Sequence, residues 1–275
     1  MTAAAALLAS VAWGVADFLG GLKSRTVHVL VVLLLAQISG VLAIGLVVAI
    51  AGNAPPASVF WAALAGLFGT VGLASFYRGM AVGAISVVAP IAAVGAIVPV
   101  VFGIATGDDV SRLQGIGFAL ALSGVGLASF ERHEAGAIRV AAGVPWAIAA
   151  VIGFGGYYVP MHEASEQDFL WAALVFRITV GVLAFAAWVA LRPALSAARG
   201  HLGAIAMIGI LDTAGNTLFA AAASLGEVSV VSVLATLYPV TTVALAALVL
   251  SERIDRLQLV GVASALAGVV LISAG

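Results

Sequence analysis

Long apolar runs, broken at short polar intervals, set the pattern of this chain. Reading between the breaks predicts ten segments: 3–21, 27–50, 59–80, 85–105, 113–130, 140–160, 169–191, 202–222, 228–250 and 254–273. Each is close to the about 20 residues an α-helix needs to cross the hydrocarbon core of a bilayer. The runs are continuous rather than alternating, so they predict helices and not the strands of a β-barrel. The first run lacks the basic stretch that opens a cleaved signal peptide and has a counterpart later in the chain, so it is read as helix one. Ten spans use about 200 residues of the 275 present, which leaves only short loops. The expected fold is an all-α polytopic membrane protein with ten transmembrane helices.

The pattern also repeats. Gly-Ala-Ile-Ser-Val-Val at 83–88 matches Gly-Glu-Val-Ser-Val-Val at 226–231, an offset of 143. Arg112-Leu113-Gln114 matches Arg256-Leu257-Gln258 at an offset of 144. Earlier, Trp13-Gly14 aligns with Phe154-Gly155, and Ala36-Gln37-Ile38-Ser39 with Phe176-Arg177-Ile178-Thr179. Two five-helix halves are expected, 1–135 and 136–275. Five is odd, so the second half must lie inverted in the membrane. Inverted repeats are the architecture of many secondary transporters, with the binding site between the halves near the midplane. A duplication kept only for packing is the alternative.

Composition sharpens the picture. Of the residues 64% are hydrophobic and 8% charged, against about 25% charged in a soluble domain. An extramembrane enzyme domain, a nucleotide-binding cassette and a nucleic-acid-binding module are excluded. The absence of cysteine excludes disulfides, thiolate metal sites and thiol catalysis. HExxH, P-loop and GxSxG motifs are missing as well. A net charge of −1 says little; the placement of the basic residues says more. The odd-numbered loops hold Lys23, Arg25, Arg78, Arg132, Arg139, Arg192, Arg199, Arg253 and Arg256, whereas the even-numbered loops hold Arg112. An excess of Lys and Arg marks cytoplasmic loops, so both termini are expected outside. The acidic loop at 161–168 fits the outer face.

A charge at the bilayer centre costs about 2.5–3.5 kcal/mol on insertion scales, so each one needs a reason. Asp17, Arg177 and Asp212 fall at membrane depth, with Gln37 and Asn216 as neutral companions. By helical rise, Asp212 lies about 15 Å from either end of its segment and Arg177 about 12 Å below the outer end of the preceding one. Those heights predict a salt bridge between helices seven and eight. Asn216, at i+4 from Asp212, shares its face. Two roles follow for the pair: it fixes helix packing, or it lines a central cavity and meets a zwitterionic or charged substrate. Competition between substrate and proton for Asp212 would then be a physical basis for proton coupling. Asp17, nearer the cytoplasmic end, reads as an interfacial partner for Lys23 or Arg25, with a coupling role beside Asp212 as the alternative.

Other features have simpler readings. Trp61, Trp146 and Trp171 lie at span ends and read as belt residues. Trp13, Tyr77, Tyr157, Tyr158 and Tyr238 neighbour glycines or prolines or sit deep, and are candidates for cavity walls. Pro90, Pro99 and Pro239 each remove a backbone donor inside helices four and nine and are candidate bending points. Arg78 is expected to snorkel to the interface, and glycine-rich helices three and five to pack closely. His162, Glu163 and Glu166 read as a solvated outer mouth; no metal or other cofactor is expected.

With ten spans and the repeat in hand, the chain resembles the drug/metabolite transporter superfamily, specifically its EamA-type members. The likeness rests on Leu237-Tyr238-Pro239, then Leu250-Ser251-Glu252-Arg253, then Leu257-Gln258 and Gly261, with Trp13-Gly14 and Arg177 at family-like positions. In the first half the matching turn reads Thr106-Gly107-Asp108-Asp109, so Asp108 replaces the usual glutamate and Gly95 stands where the proline would be. The resemblance implies a carrier of small metabolites, often amino acids or related compounds, working by alternating access. It also admits sugar, nucleotide-sugar and drug carriers. The expected partners are a small-molecule substrate, membrane lipid and protons as coupling ion, with no nucleic acid. The expected state is a monomer or weak dimer in the cytoplasmic membrane, exporting its substrate. A channel-like pore, or an importer of a sugar or nucleoside, is the competing reading. Family members drawn with cytoplasmic termini would lie the other way up.

Overall fold

A computed structural model describes residues 2–98, 111–128, 130–132, 138–225, 237–252 and 256–274. The first half supplies α1 (Thr2–Ser24), α2 (Val29–Ala51), α3 (Phe60–Val82), α4 (Ile85–Ala93) and α5 (Arg112–Ala128). The second supplies α6 (Val144–Gln167), α7 (Phe169–Leu191), α8 (Leu202–Leu225), α9 (Tyr238–Leu250) and α10 (Arg256–Ala274). Helix α4 tightens into a 3₁₀ turn at Val94–Ala96, and another at Leu195–His201 leads into α8. Among the described residues, six helices are long and apolar enough to cross a membrane: α1, α2, α3, α6, α7 and α8 with its lead-in. The 23 residues of α2 span about 34 Å at 1.5 Å per residue, enough for a hydrocarbon core of about 30 Å. The outer surface is apolar, with Leu42 70%, Ile50 77% and Leu248 80% exposed. The chain is an integral membrane protein.

Three expectations meet a different local structure. Residues 161–167, read as an acidic outer loop carrying His162, Glu163 and Glu166, instead continue α6. Phe130 and Val140, read as helix ends, pair instead in a short antiparallel ribbon of β1 (Phe130–Arg132) and β2 (Ile138–Val140) between α5 and α6. Pro90 does lie inside α4, buried. Pro239 stands in the first turn of α9, where a missing N–H leaves no helical bond unmade. The stretch before it, 226–236, and Pro99 lie outside the described residues, as do Asp108, Asp109 and Arg253.

Local chemistry starts and stops the helices. His28 Nδ1 accepts the Leu30 N–H at 3.3 Å at the start of α2, and Gly52 closes it at φ +68°, a left-handed cap that glycine adopts without strain. Asp168 accepts the N–H groups of Leu170 and Trp171 at 2.9 and 3.0 Å, capping α7. The same carboxylate accepts from Asn53 Nδ2 at 2.5 Å, and the Trp171 indole donates to Asn53 O at 3.1 Å. The α2–α3 and α6–α7 loops therefore meet at one end of the bundle. At the other end, Arg25 reaches the α3–α4 turn and the end of α9, and Gly83 abuts Ala142 and Gly143 ahead of α6.

Helices of the first half pack on helices of the second. The closest neighbours are α1 with α8, α3 with α6 and α5 with α10; α2 lies against α7 and α8, and α4 against α6 and α9. Glycines let the backbones approach. A Cβ at Gly117 would lie 2.9 Å from Gly268 O, and one at Gly268 would lie 2.6 Å from Gly117 O. A Cβ at Gly215 would lie 2.6 Å from the Trp13 ring, and one at Gly72 would lie 2.5 Å from the Phe154 ring. Without a hydrophobic drive between helices in lipid, such close packing is what holds a membrane bundle together.

Candidate functional site

Arg177 is the largest fully buried side chain among the described residues, at 1% exposure. Its Nη1 forms an ion pair with Asp212 Oδ2 and donates to Gln37 Oε1 at 3.4 Å. One guanidinium thus joins α2, α7 and α8. A charge removed from water needs such partners, because desolvation is expensive and only paired charges offset it. Space for the arginine comes from Gly40, where a Cβ would lie 3.4 Å from Arg177 Cδ and 2.9 Å from Thr213 Oγ1. The Nε and Nη2 nitrogens are buried and have no hydrogen-bond partner among the described residues.

Asp17 on α1 and Tyr77 on α3 are buried, at 8% and 2% exposure. Asp17 lies within electrostatic reach of Asp212, and Tyr77 within reach of Asp17, Asp212 and Arg177. The Tyr77 ring covers Gly20 of α1, where a Cβ would lie 2.7 Å from the hydroxyl. The expected interfacial pairing of Asp17 with Arg25 is not what forms. Arg25 pairs with Glu252, and Asp17 stays inside with the buried acid–base cluster.

The aromatic candidates divide. Trp13 Nε1 donates to Asn216 Oδ1 at 2.9 Å, and its ring meets Phe219 at 5.7 Å and Tyr238 at 6.4 Å between centroids. Asn216, one helical turn beyond Asp212, carries this aromatic group next to the charged one. Thr242 Oγ1 donates to Gly14 O at 3.1 Å, fastening α9 to α1 behind it. Tyr157 packs on Phe176 at 5.3 Å. Tyr158 lies on α6, its side chain outside those described. Trp61 and Trp146 face outward, at 37% and 44% exposure, and Arg78 is exposed.

The polar cluster that sequence reasoning missed sits at the end of the bundle. Glu252 accepts Arg25 Nη2 at 2.7 Å, Ile85 N at 3.3 Å, Ser86 N at 3.1 Å and Ser86 Oγ at 3.0 Å. Arg25 also donates to Met80 O at 3.2 Å and Gly83 O at 3.1 Å. One carboxylate thus caps α4, closes α9 and holds the α1–α2 turn. Its signal in the sequence was Ser251-Glu252-Arg253, which marked the residue without naming its partners.

The central arrangement places one cation, two carboxylates, a carboxamide and an indole–amide pair inside an otherwise apolar bundle. Such groups suit binding a polar solute. His28 and His201 lie at helix ends, away from this cluster. Among the described residues no group of three His, Asp or Glu could hold a metal ion. Comparison with family models gives a match at 141–274. Residues 141–274 form an EamA-like transporter family domain. The EamA-like domain contains Arg177, Asp212, Asn216, Tyr238 and Glu252, so most of the cluster belongs to it. Proteins of this family are transporters, so the match over 141–274 suggests a membrane transporter of small solutes. No curated protein matches the chain. A solved structure described as "Crystal structure of protein" is 17% identical, with a TM-score of 0.65 over 98% of this chain and 96% of its own. That likeness shows a shared fold.

Proposed function

We propose that the chain is a secondary carrier of small metabolites, amino acids or related compounds, which it exports across the cytoplasmic membrane by alternating access. Ten helices cross the membrane as two inverted halves, 1–135 and 136–275. Matched contacts support that division. Trp13 packs on Gly215 as Phe154 packs on Gly72, and Gly14 faces Tyr238 O and Thr241 as Gly155 faces Gly95 O and Val98. By these contacts Gly95 answers to Tyr238, one residue before the proline with which the sequence aligned it. The odd-numbered loops are basic, which supports a cytoplasmic position for them and outward-facing termini.

The single observation that carries the reading is Arg177, buried where helices of both halves meet and paired there with Asp212 and Gln37. Arg177, Asp212, Asn216, Gln37, Tyr238, Trp13 and Tyr77 line the substrate path, and Asp212 with Asp17 exchanges protons with it. The carrier works as a monomer or weak dimer in lipid. Flux of radiolabelled amino acids into proteoliposomes, with and without a pH gradient, tests this. Accumulation that collapses when the gradient is dissipated is expected. No flux above empty liposomes for any of the twenty amino acids would overturn it.

A further inference from the structure

The geometry points to Glu252 as the latch of a gate at the basic-loop end of the bundle: its carboxylate ties the second half to the first while that end is shut and lets go when it opens. The inference rests on the alternating-access reading above and gives that motion named residues. Glu252 follows the last turn of α9, in the second half. Among the described residues, every donor to its side chain belongs to the first half: Arg25 Nη2 at 2.7 Å, Ile85 N at 3.3 Å, Ser86 N at 3.1 Å and Ser86 Oγ at 3.0 Å. Arg25 is held in place by bonds within its own half, to Met80 O and Gly83 O. The same Gly83 meets the second half backbone to backbone, since a Cβ there would overlap Ala142 O. Beside it Gly143, at φ +92°, could carry a Cβ only 2.6 Å from Gly79 O. Polar latch and glycine seam thus share one layer, where two turns of the first half meet the end of α9 and the start of α6.

The way α4 is capped separates a latch from a fixed brace. A helix start is ordinarily capped by the residue just before it. Ala84 stands there in α4 and supplies no side-chain cap; the cap comes from Glu252, 166 residues away. The first turn of α4 is therefore completed by protein only while the halves touch. Parting them costs little, because a hydrogen bond exchanged for bonds to water loses little net free energy. The side chains of Arg25 and Glu252 are 29% and 13% exposed, within reach of water, whereas Arg177 is sealed at 1%. At the far end the described bonds between the halves join Asn53 to Asp168 and Trp171. Asp168 also caps its own helix, α7, a duty within its half that Glu252 does not share among the described residues. A contact made in one state only shifts the balance between states by its own free energy.

The chain has no cysteine, so a single introduced thiol reports on this end cleanly. Val88→Cys in the detergent-purified full chain places that thiol just inside the latch. Val88 is 0% exposed, and a Cβ at Gly143 of the second half would lie 2.9 Å from its Cγ2. A small charged methanethiosulfonate, scored by mass spectrometry, reaches it through the open form, so the rate tracks the population of that form. Ala65→Cys, equally buried and about 22 Å along α3 from Met80, is the control. Labelling of Val88→Cys is expected to be slow in the parent and to rise about fivefold or more with Glu252→Ala. Glu252→Gln and Ser86→Ala keep part of the network; each should give a smaller rise, and they decide the matter if the alanine variant does not fold. Ala65→Cys should keep its rate in every background. Fast labelling of Val88→Cys in the parent, an unchanged rate in the variants, or an equal rise at Ala65→Cys would overturn the inference. No solute enters the assay, so its failure is distinct from an absence of amino-acid flux, which bears on the carrier reading.

Discussion

Replacing Glu252 with alanine removes the acceptor of four hydrogen bonds at once, two of them from the backbone and side chain of Ser86. Part of the cost is the lost cap of α4, about 0.5–2 kcal/mol for a side chain at that position. The rest is the Arg25 ion pair. Its partners are 29% and 13% exposed, so solvent screening holds it to about 1 kcal/mol or less. Together these give about 1–3 kcal/mol. Glu252→Gln retains an acceptor for α4 but loses the charge, so its loss should be the smaller. Thermal unfolding of the detergent-purified full chain, followed by tryptophan fluorescence, measures both. A double-mutant cycle with Arg25→Ala separates the pair and should give a coupling of about 0.5–1 kcal/mol. An alanine variant within about 0.5 kcal/mol of the parent, or strictly additive losses, would refute this account of how α1, α4 and α9 are joined.

Two further outcomes are expected. Gly117→Val should destabilise the protein and lower its yield, since a side chain there would lie 2.9 Å from the backbone of α10 at Gly268 O, whereas Gly115→Val, which faces open space, should change neither in the same unfolding assay. A cysteine introduced at Thr2 should react with an impermeant maleimide on intact cells, and protection until lysis would reverse the orientation.

Hydropathy made the long helices legible because a bilayer demands continuous apolar runs, and α1, α2, α3, α7 and α8 lie where the runs predict, whereas α6 runs on through the polar stretch 161–167. Depth arithmetic was enough to pair Arg177 with Asp212, because helical rise converts sequence position into height. Repeat alignment made Gln37 the first-half equivalent of Arg177, but it gave no sign that the two bond. What stayed hidden was lateral. Asp17 and Glu252 were both acids near basic turns, and nothing in one dimension says which of them Arg25 meets. Height also could not show that Trp13 bonds to Asn216, 203 residues away, since that contact depends on which helices are neighbours.

Removing both central charges together tests the functional core most directly. A single neutral substitution leaves the other charge buried and unpaired, at about 3–5 kcal/mol, and so confounds folding with binding. The double variant Arg177→Met with Asp212→Leu removes the pair and keeps approximate volume. Radiolabelled amino-acid flux in proteoliposomes, measured beside its elution profile, is predicted to show a folded, monodisperse protein that no longer transports. Flux at parental rate and affinity would contradict the account, and would mean that these charges only hold α7 against α8.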